Sequence, residues 1–214
     1  MLRVVYRLLG RSPAAAVLDF PVIERTRRRI TATSMSGADV MEIVGLLHAA
    51  GISAWLVGGW ACDALLAEQT REHDDLDVAI PDGHRELAFK VLEEHGFLVT
   101  DVFNAGLMSE AIELLDRRRR RKVGLHFIDI DSNGAGGWDA SVRETMQALR
   151  LDPRELFATG TVAGHPVPCV SAPALLALHT GYEPREQDRR DVRLICTRFS
   201  LPVPPAYERA EHGQ

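Results

Sequence analysis

The chain has 214 residues, 25 basic against 30 acidic, for a net charge of −5, and 46% of its side chains are apolar. That length suffices for one domain with a sizeable core, or a core with a small helical appendage. The acidic balance argues against a surface that wraps a nucleic-acid backbone, and no apolar run approaches the roughly 18 residues of a membrane span.

In chain order, the first 34 residues stand apart. Arg3, Arg7 and Arg11 break up the apolar stretches, and Pro13, Pro21 and the basic run from Arg25 to Arg29 follow. Those arginines leave no clean apolar stretch for a secretory signal, so residues 1–34 are expected to be a disordered or non-native extension preceding a start at Met35. The domain proper is expected over residues 35–207, with 208–214 as a tail. Cys62, Cys169 and Cys196 are odd in number and far apart. They form neither a disulfide framework nor a metal-ligand pair, and read as buried thiols of a cytoplasmic protein.

Ser36 with Asp39 forms a capping box, and Val40, Ile43, Leu46 and Leu47 then recur at helical spacing up to Gly51. Ala54 to Val57 reads as a short strand, Gly58-Gly59 as a turn, and Trp60 to Ala67 as a helix. Leu76, Val78 and Ile80 alternate with Asp75, Asp77 and Ala79, a strand with one apolar and one carboxylate face. A helix carrying Leu87, Val91 and Leu92 follows. Strands are then expected over Phe97 to Phe103, Leu107 to Leu115 and Val123 to Ile130.

The basic stretch from Arg117 to Lys122 reads as a solvated hairpin tip, and Asn133 to Gly137 as a flexible, glycine-rich loop. A small hairpin is expected around Gly164-His165, between Thr161-Val162 and Val167 to Val170. Two helices, near Pro173 to His179 and Arg185 to Arg198, close the chain before the proline-containing stretch Pro202 to Pro205. Asp188 and Asp191, three apart among arginines, read as partners in helix-surface ion pairs.

The chemistry concentrates between Gly58 and Asp77, GGWACDALLAEQTREHDDLD. Residues two apart on a strand share a face about 6 to 7 Å apart, so Asp75 and Asp77 can converge on the same hard cation, as magnesium requires. Gly58 and Gly59 let backbone amides approach phosphate oxygens at the N-terminus of the following helix. Asp74, of opposite parity, reads as a brace for the turn.

This order of elements, with Trp60, Asp63, Thr70-Arg71 and His73-Asp74-Asp75-Leu76-Asp77, resembles the aminoglycoside and lincosamide nucleotidyltransferases of the polymerase-β-like superfamily. Gly160 to Ser171 and His179 to Val192 resemble the same family, so the likeness runs from Met35 to about Tyr207. It implies an α/β (α+β) nucleotidyltransferase fold: a short mixed sheet flanked by helices, with a C-terminal helical segment. It implies attack by an acceptor hydroxyl on the α-phosphorus of an NTP, with pyrophosphate leaving and two Mg2+ ions held by Asp75 and Asp77.

Arg71 and His73 are placed to meet phosphate charge beside the turn of Gly58 and Gly59, and His126, His179 and Tyr182 to meet the acceptor. The implied partners are an NTP and a small hydroxylated molecule, an aminoglycoside or lincosamide in the family's antibiotic-resistance members. Neither a membrane nor nucleic acid is expected, and a homodimer fits the family. The sequence departs from the family at Gly124, which stands where relatives usually carry a third carboxylate. Glu113, Asp129 or Asp131 after a bulge, or a direct proton transfer to substrate or water could replace it. Gly124 also admits a nucleotide-binding homologue that has lost turnover and acts as a sensor or binding partner; a toxin–antitoxin nucleotidyltransferase is a third reading.

Overall fold

Ser36 starts the first described helix: its hydroxyl accepts the Asp39 backbone N–H while the Asp39 carboxylate accepts the Ser36 N–H. Helix α1, Gly37–Ala49, buries Val40, Ile43, Val44 and Leu47. The structure is a computed structural model and describes residues 34–105, 108–130, 136–137, 155–180 and 182–208, all within one unit spanning Ala32–Gln214. The extension read over residues 1–34 lies, up to residue 33, outside the described residues.

The further elements are β1 (Trp55–Leu56), α2 (Gly58–Leu66), β2 (Leu76–Pro81), α3 (Arg85–Glu94), β3 (Phe97–Ala105), β4 (Met108–Asp116), β5 (Arg121–Ile130), β6 (Gly136–Gly137), β7 (Phe157–Val162), β8 (His165–Val170), α4 (Ala172–Leu178), α5 (Glu186–Phe199) and α6 (Pro205–Glu208). Seven strands form a mixed sheet in the order β3-β4-β5-β2-β1-β8-β7, and β6 pairs with the end of β5. The β2–β5 and β1–β8 pairs are parallel and the others antiparallel. The expected mixed sheet with flanking helices is what the chain forms.

Leu76, Val78 and Ile80 send one face of β2 into the core, fully buried with Leu56, Val123 and Leu125 from the neighbouring strands. Helix α2 packs on β2, β7 and β8 and also meets α4 and α5. It thereby ties the C-terminal helices to the strand that carries the carboxylates.

Several expectations are corrected. Gly58 and Gly59 are not a turn ahead of the helix but its first residues. In α3 the buried face is Ala88, Phe89 and Leu92, while Leu87 is exposed. Gly136-Gly137 pairs with β5 because its backbone completes the ladder at Asp129 and Ile130. Pro205 opens α6, its fixed φ suiting a first helical turn.

The basic stretch is only partly a solvated tip. Arg119 reaches Asp39 and Glu42, and Arg121 is buried against Asp116 and Glu42. Asp188 and Asp191 are buried, not on the helix surface, because they share the inward face of α5 with Val192 and Ile195.

Candidate functional site

The β2–β5 register runs without interruption from Leu76↔Val123 to Pro81↔Ile128. It sets Asp77 beside Gly124 and Ala79 beside His126, and side chains paired in this way share a face. Asp77 is about one-third exposed, with Oδ1 3.1 Å from His126 Nε2. Gly124 makes that reach possible: a Cβ there would sit 2.3 Å from Asp77 Oδ1, so the carboxylate lies across β5 over a position with no side chain. His126 is buried, and its Nδ1 has no hydrogen-bond partner among the described residues.

Asp75 is 46% exposed and holds Lys122 Nζ at 3.3 Å. Loss of hydration in the crowded cleft, and the neighbouring Asp77 charge, raise its carboxyl above the ordinary range, while Lys122 pulls the other way. The same ammonium lies 3.2 Å from Glu113. Two carboxylates of like charge on one open face form a donor set that a hard divalent cation relieves, and magnesium commonly takes one or two carboxylates and completes its shell with phosphate and water. Among the described residues no three ligating side chains converge into a metal cluster.

The N-terminus of α2 abuts this face. Gly58 has φ +60°, and a Cβ on it would lie 3.0 Å from Asp77 Oδ2. Gly59 faces the other way, where a Cβ would meet Arg71 Nη2 at 2.4 Å and His73 at 2.6 Å. Arg71 makes a bidentate contact with Asp191, and His73 Nε2 meets Asp63 in a dry pair. Asp63 also accepts the Thr70 backbone N–H and hydroxyl. Arg71 and His73 are therefore committed to internal partners that fix the 67–75 loop behind the helix terminus.

His179 and Tyr182 form a pair of their own, Nδ1 to Oη 2.6 Å, with the Tyr207 hydroxyl donating to the His179 carbonyl. His179 Nε2 is buried without a partner among the described residues, and desolvation pushes its pKa down and favours the neutral ring. Arg185 links this corner to the carboxylates. It is clamped by Asp188, 68% exposed, and close enough to Asp75 to feel its charge.

Sequence reasoning missed Lys122 and Arg185. Lys122 shares the parity of Gly124 and His126, and that alternation was the available signal. Asp129 lies on the opposite face of a strand without a bulge through Ile128, and Asp131 lies outside the described residues.

The family model described as aminoglycoside-2''-adenylyltransferase matches residues 39–195, well over half of the chain. The chain is 24% identical over 155 residues to a lincosamide resistance protein of Staphylococcus haemolyticus, covering 72% of this chain and 91% of that one. It is 28% identical over 137 residues to a 2''-aminoglycoside nucleotidyltransferase of Klebsiella pneumoniae, covering 64% and 68%. Among solved structures it resembles the lincomycin-bound lincosamide adenylyltransferase LnuA, with TM-score 0.62, 22% identity and coverage of 76% and 98%. It also resembles ANT(2'')-Ia in complex with adenylyl-2''-tobramycin, with TM-score 0.59, 21% identity and coverage of 76% and 88%.

Proposed function

The chain belongs to the aminoglycoside-2''-adenylyltransferase family and is a nucleotidyltransferase with an NTP co-substrate, and from that premise we propose that it transfers AMP from ATP to a hydroxyl of an aminoglycoside or lincosamide in the cytoplasm. The observation that carries this reading is the pair Asp75, just ahead of β2, and Asp77 within it, both partly exposed, with Asp77 against the N-terminus of α2.

In this reading Asp75 and Asp77 hold two magnesium ions, which neutralise triphosphate charge and polarise the α-phosphoryl group when bound. The first amides of α2, at Gly58 and Gly59, hold the phosphates at the positive end of the helix. His126 fixes the Asp77 carboxylate through Nε2, and Lys122 keeps Asp75 turned toward the cleft. Arg185, held by Asp188 with its charge reaching Asp75, meets the triphosphate, while Arg71 and His73 act at one remove by bracing the loop. His179 and Tyr182 stand at the acceptor's side, beside Arg185.

Mass spectrometry of tobramycin and lincomycin incubated with the protein, magnesium and each NTP tests this directly. The expected product is one acceptor heavier by one AMP and formed only with ATP. An unmodified acceptor with every NTP, together with calorimetric binding of the nucleotide, favours the homologue without turnover that Gly124 suggests.

A further inference from the structure

The chain lacks a carboxylate where β5 runs beside Asp77, yet the row does not end at Gly124. The β4–β5 register sets Glu113 directly opposite Gly124, and the β2–β5 register sets Gly124 opposite Asp77. Asp77, Gly124 and Glu113 therefore form one row across three strands, with side chains on one face and strands about 4.8 Å apart. The middle member has no side chain. The outer member has one methylene more than an aspartate, and across the glycine the Asp77 carboxylate leans toward it, Oδ1 only 2.3 Å from where a Gly124 Cβ would sit.

Two contacts aim Glu113. Lys122 Nζ sits 3.2 Å from its Oε2 and 3.3 Å from Asp75 Oδ2, so a single ammonium ties Glu113 to the carboxylate pair. On the other side β3 shifts register between Val99 and Asp101, leaving Thr100 as the extra residue. Its hydroxyl donates to Glu113 Oε1 at 2.9 Å. A bulge that re-aims one hydroxyl at one carboxylate is a common device beside a site. Glu113 keeps 29% of its side chain exposed, so it remains open to a ligand while held on both flanks.

We propose that Glu113, opposite Gly124 on β4 and tied to Asp75 through Lys122, is the group that accepts the proton of the attacking hydroxyl. The acceptor O–H bond breaks as its oxygen bonds to the α-phosphorus. The bond from that phosphorus to the bridging oxygen of pyrophosphate breaks, and pyrophosphate leaves with the electron pair. The hydroxyl proton passes to a Glu113 carboxylate oxygen.

This inference rests on the transfer reading above, and the experiment separates the two. Wild type, Glu113→Gln, Glu113→Ala and Asp77→Asn are assayed for pyrophosphate release from magnesium-ATP with tobramycin and with lincomycin, and their ATP affinity is measured by calorimetry. Glu113→Gln is expected to lose roughly 100-fold or more in kcat, the scale of general-base catalysis, with ATP affinity within about threefold of wild type. Added formate is expected to restore part of the turnover of Glu113→Ala, which a merely structural role would not allow. Wild-type turnover retained by Glu113→Gln, or a loss in Glu113→Ala that formate leaves untouched, overturns the assignment while leaving the transfer reading intact. Wild type inactive on both acceptors brings down the transfer reading and this inference with it.

Discussion

Two sets of acidic residues flank helix α2, and they meet opposite fates. On the buried side of the helix, Asp63 of α2 itself with Asp188 and Asp191 of α5 are each 1–2% exposed and saturated with Thr70, His73, Arg185 and Arg71. In front, Asp75 and Asp77 are one-third to one-half exposed, and each has a single ion-pair partner shown, Lys122 or His126. Residue type does not distinguish the sets. What does is whether the carboxylate's lone pairs are already used by the fold: the rear set spends them on holding the loop and the C-terminal helices, and the front set keeps them for a ligand.

The largest effect on stability should therefore come from the rear set. Asp191→Ala leaves the Arg71 guanidinium, 18% exposed, without its bidentate partner, and stranding one member of a buried pair costs about 3–5 kcal/mol. Urea unfolding should show that loss, whereas Asp75→Asn should leave the midpoint nearly unchanged. Equal losses from the two would erase the distinction drawn here.

Gly59→Ala sharpens the comparison at the boundary between the sets. The added methyl meets Arg71 and His73, and overpacking of this kind costs about 1–3 kcal/mol. It should weaken ATP binding in calorimetry through displacement of the helix terminus.

A pH effect of similar or smaller size belongs to Asp116. Burial alone would raise its carboxyl, but hydrogen bonds from Arg121 and from the backbone N–H groups of Arg119 and Arg118 bring it below the ordinary 3.8. Because the folded value is the depressed one, its contribution is in full above the ordinary value and is lost as pH falls through the folded one. The cost of Asp116→Asn in urea should be largest near neutrality and shrink below pH 4. The smallest effect should be Arg119→Ala, which removes a half-exposed pair with Asp39 and Glu42 and is expected to cost about 1 kcal/mol or less in the same unfolding measurement.

The front set was legible in the sequence because a strand's alternation reports faces directly: Asp75 and Asp77 fall on one side and Leu76 and Val78 on the other. The capping box of Ser36 and Asp39 was legible for a similar reason, being local. The rear set was not read, although Asp188 and Asp191 lie at helical spacing with Val192 and Ile195. Surrounding arginines suggested a solvated face, and partners 120 residues away in the chain, such as Arg71, leave no local signal. Lys122 was absorbed into a run of arginines, and the Thr100 bulge behind Glu113 has no turn residue to mark it. Register between strands, which brings Glu113 to Gly124, is a property of the folded sheet.

The measurement that tests the central claim most directly is magnesium-dependent pyrophosphate release from ATP, with tobramycin and lincomycin, by wild type and by Asp77→Asn, each with its melting temperature. The account predicts acceptor-dependent release by wild type and a loss of at least about 1,000-fold in the variant, some 4 kcal/mol of transition-state stabilisation, with little change in melting. Full release by Asp77→Asn would contradict it.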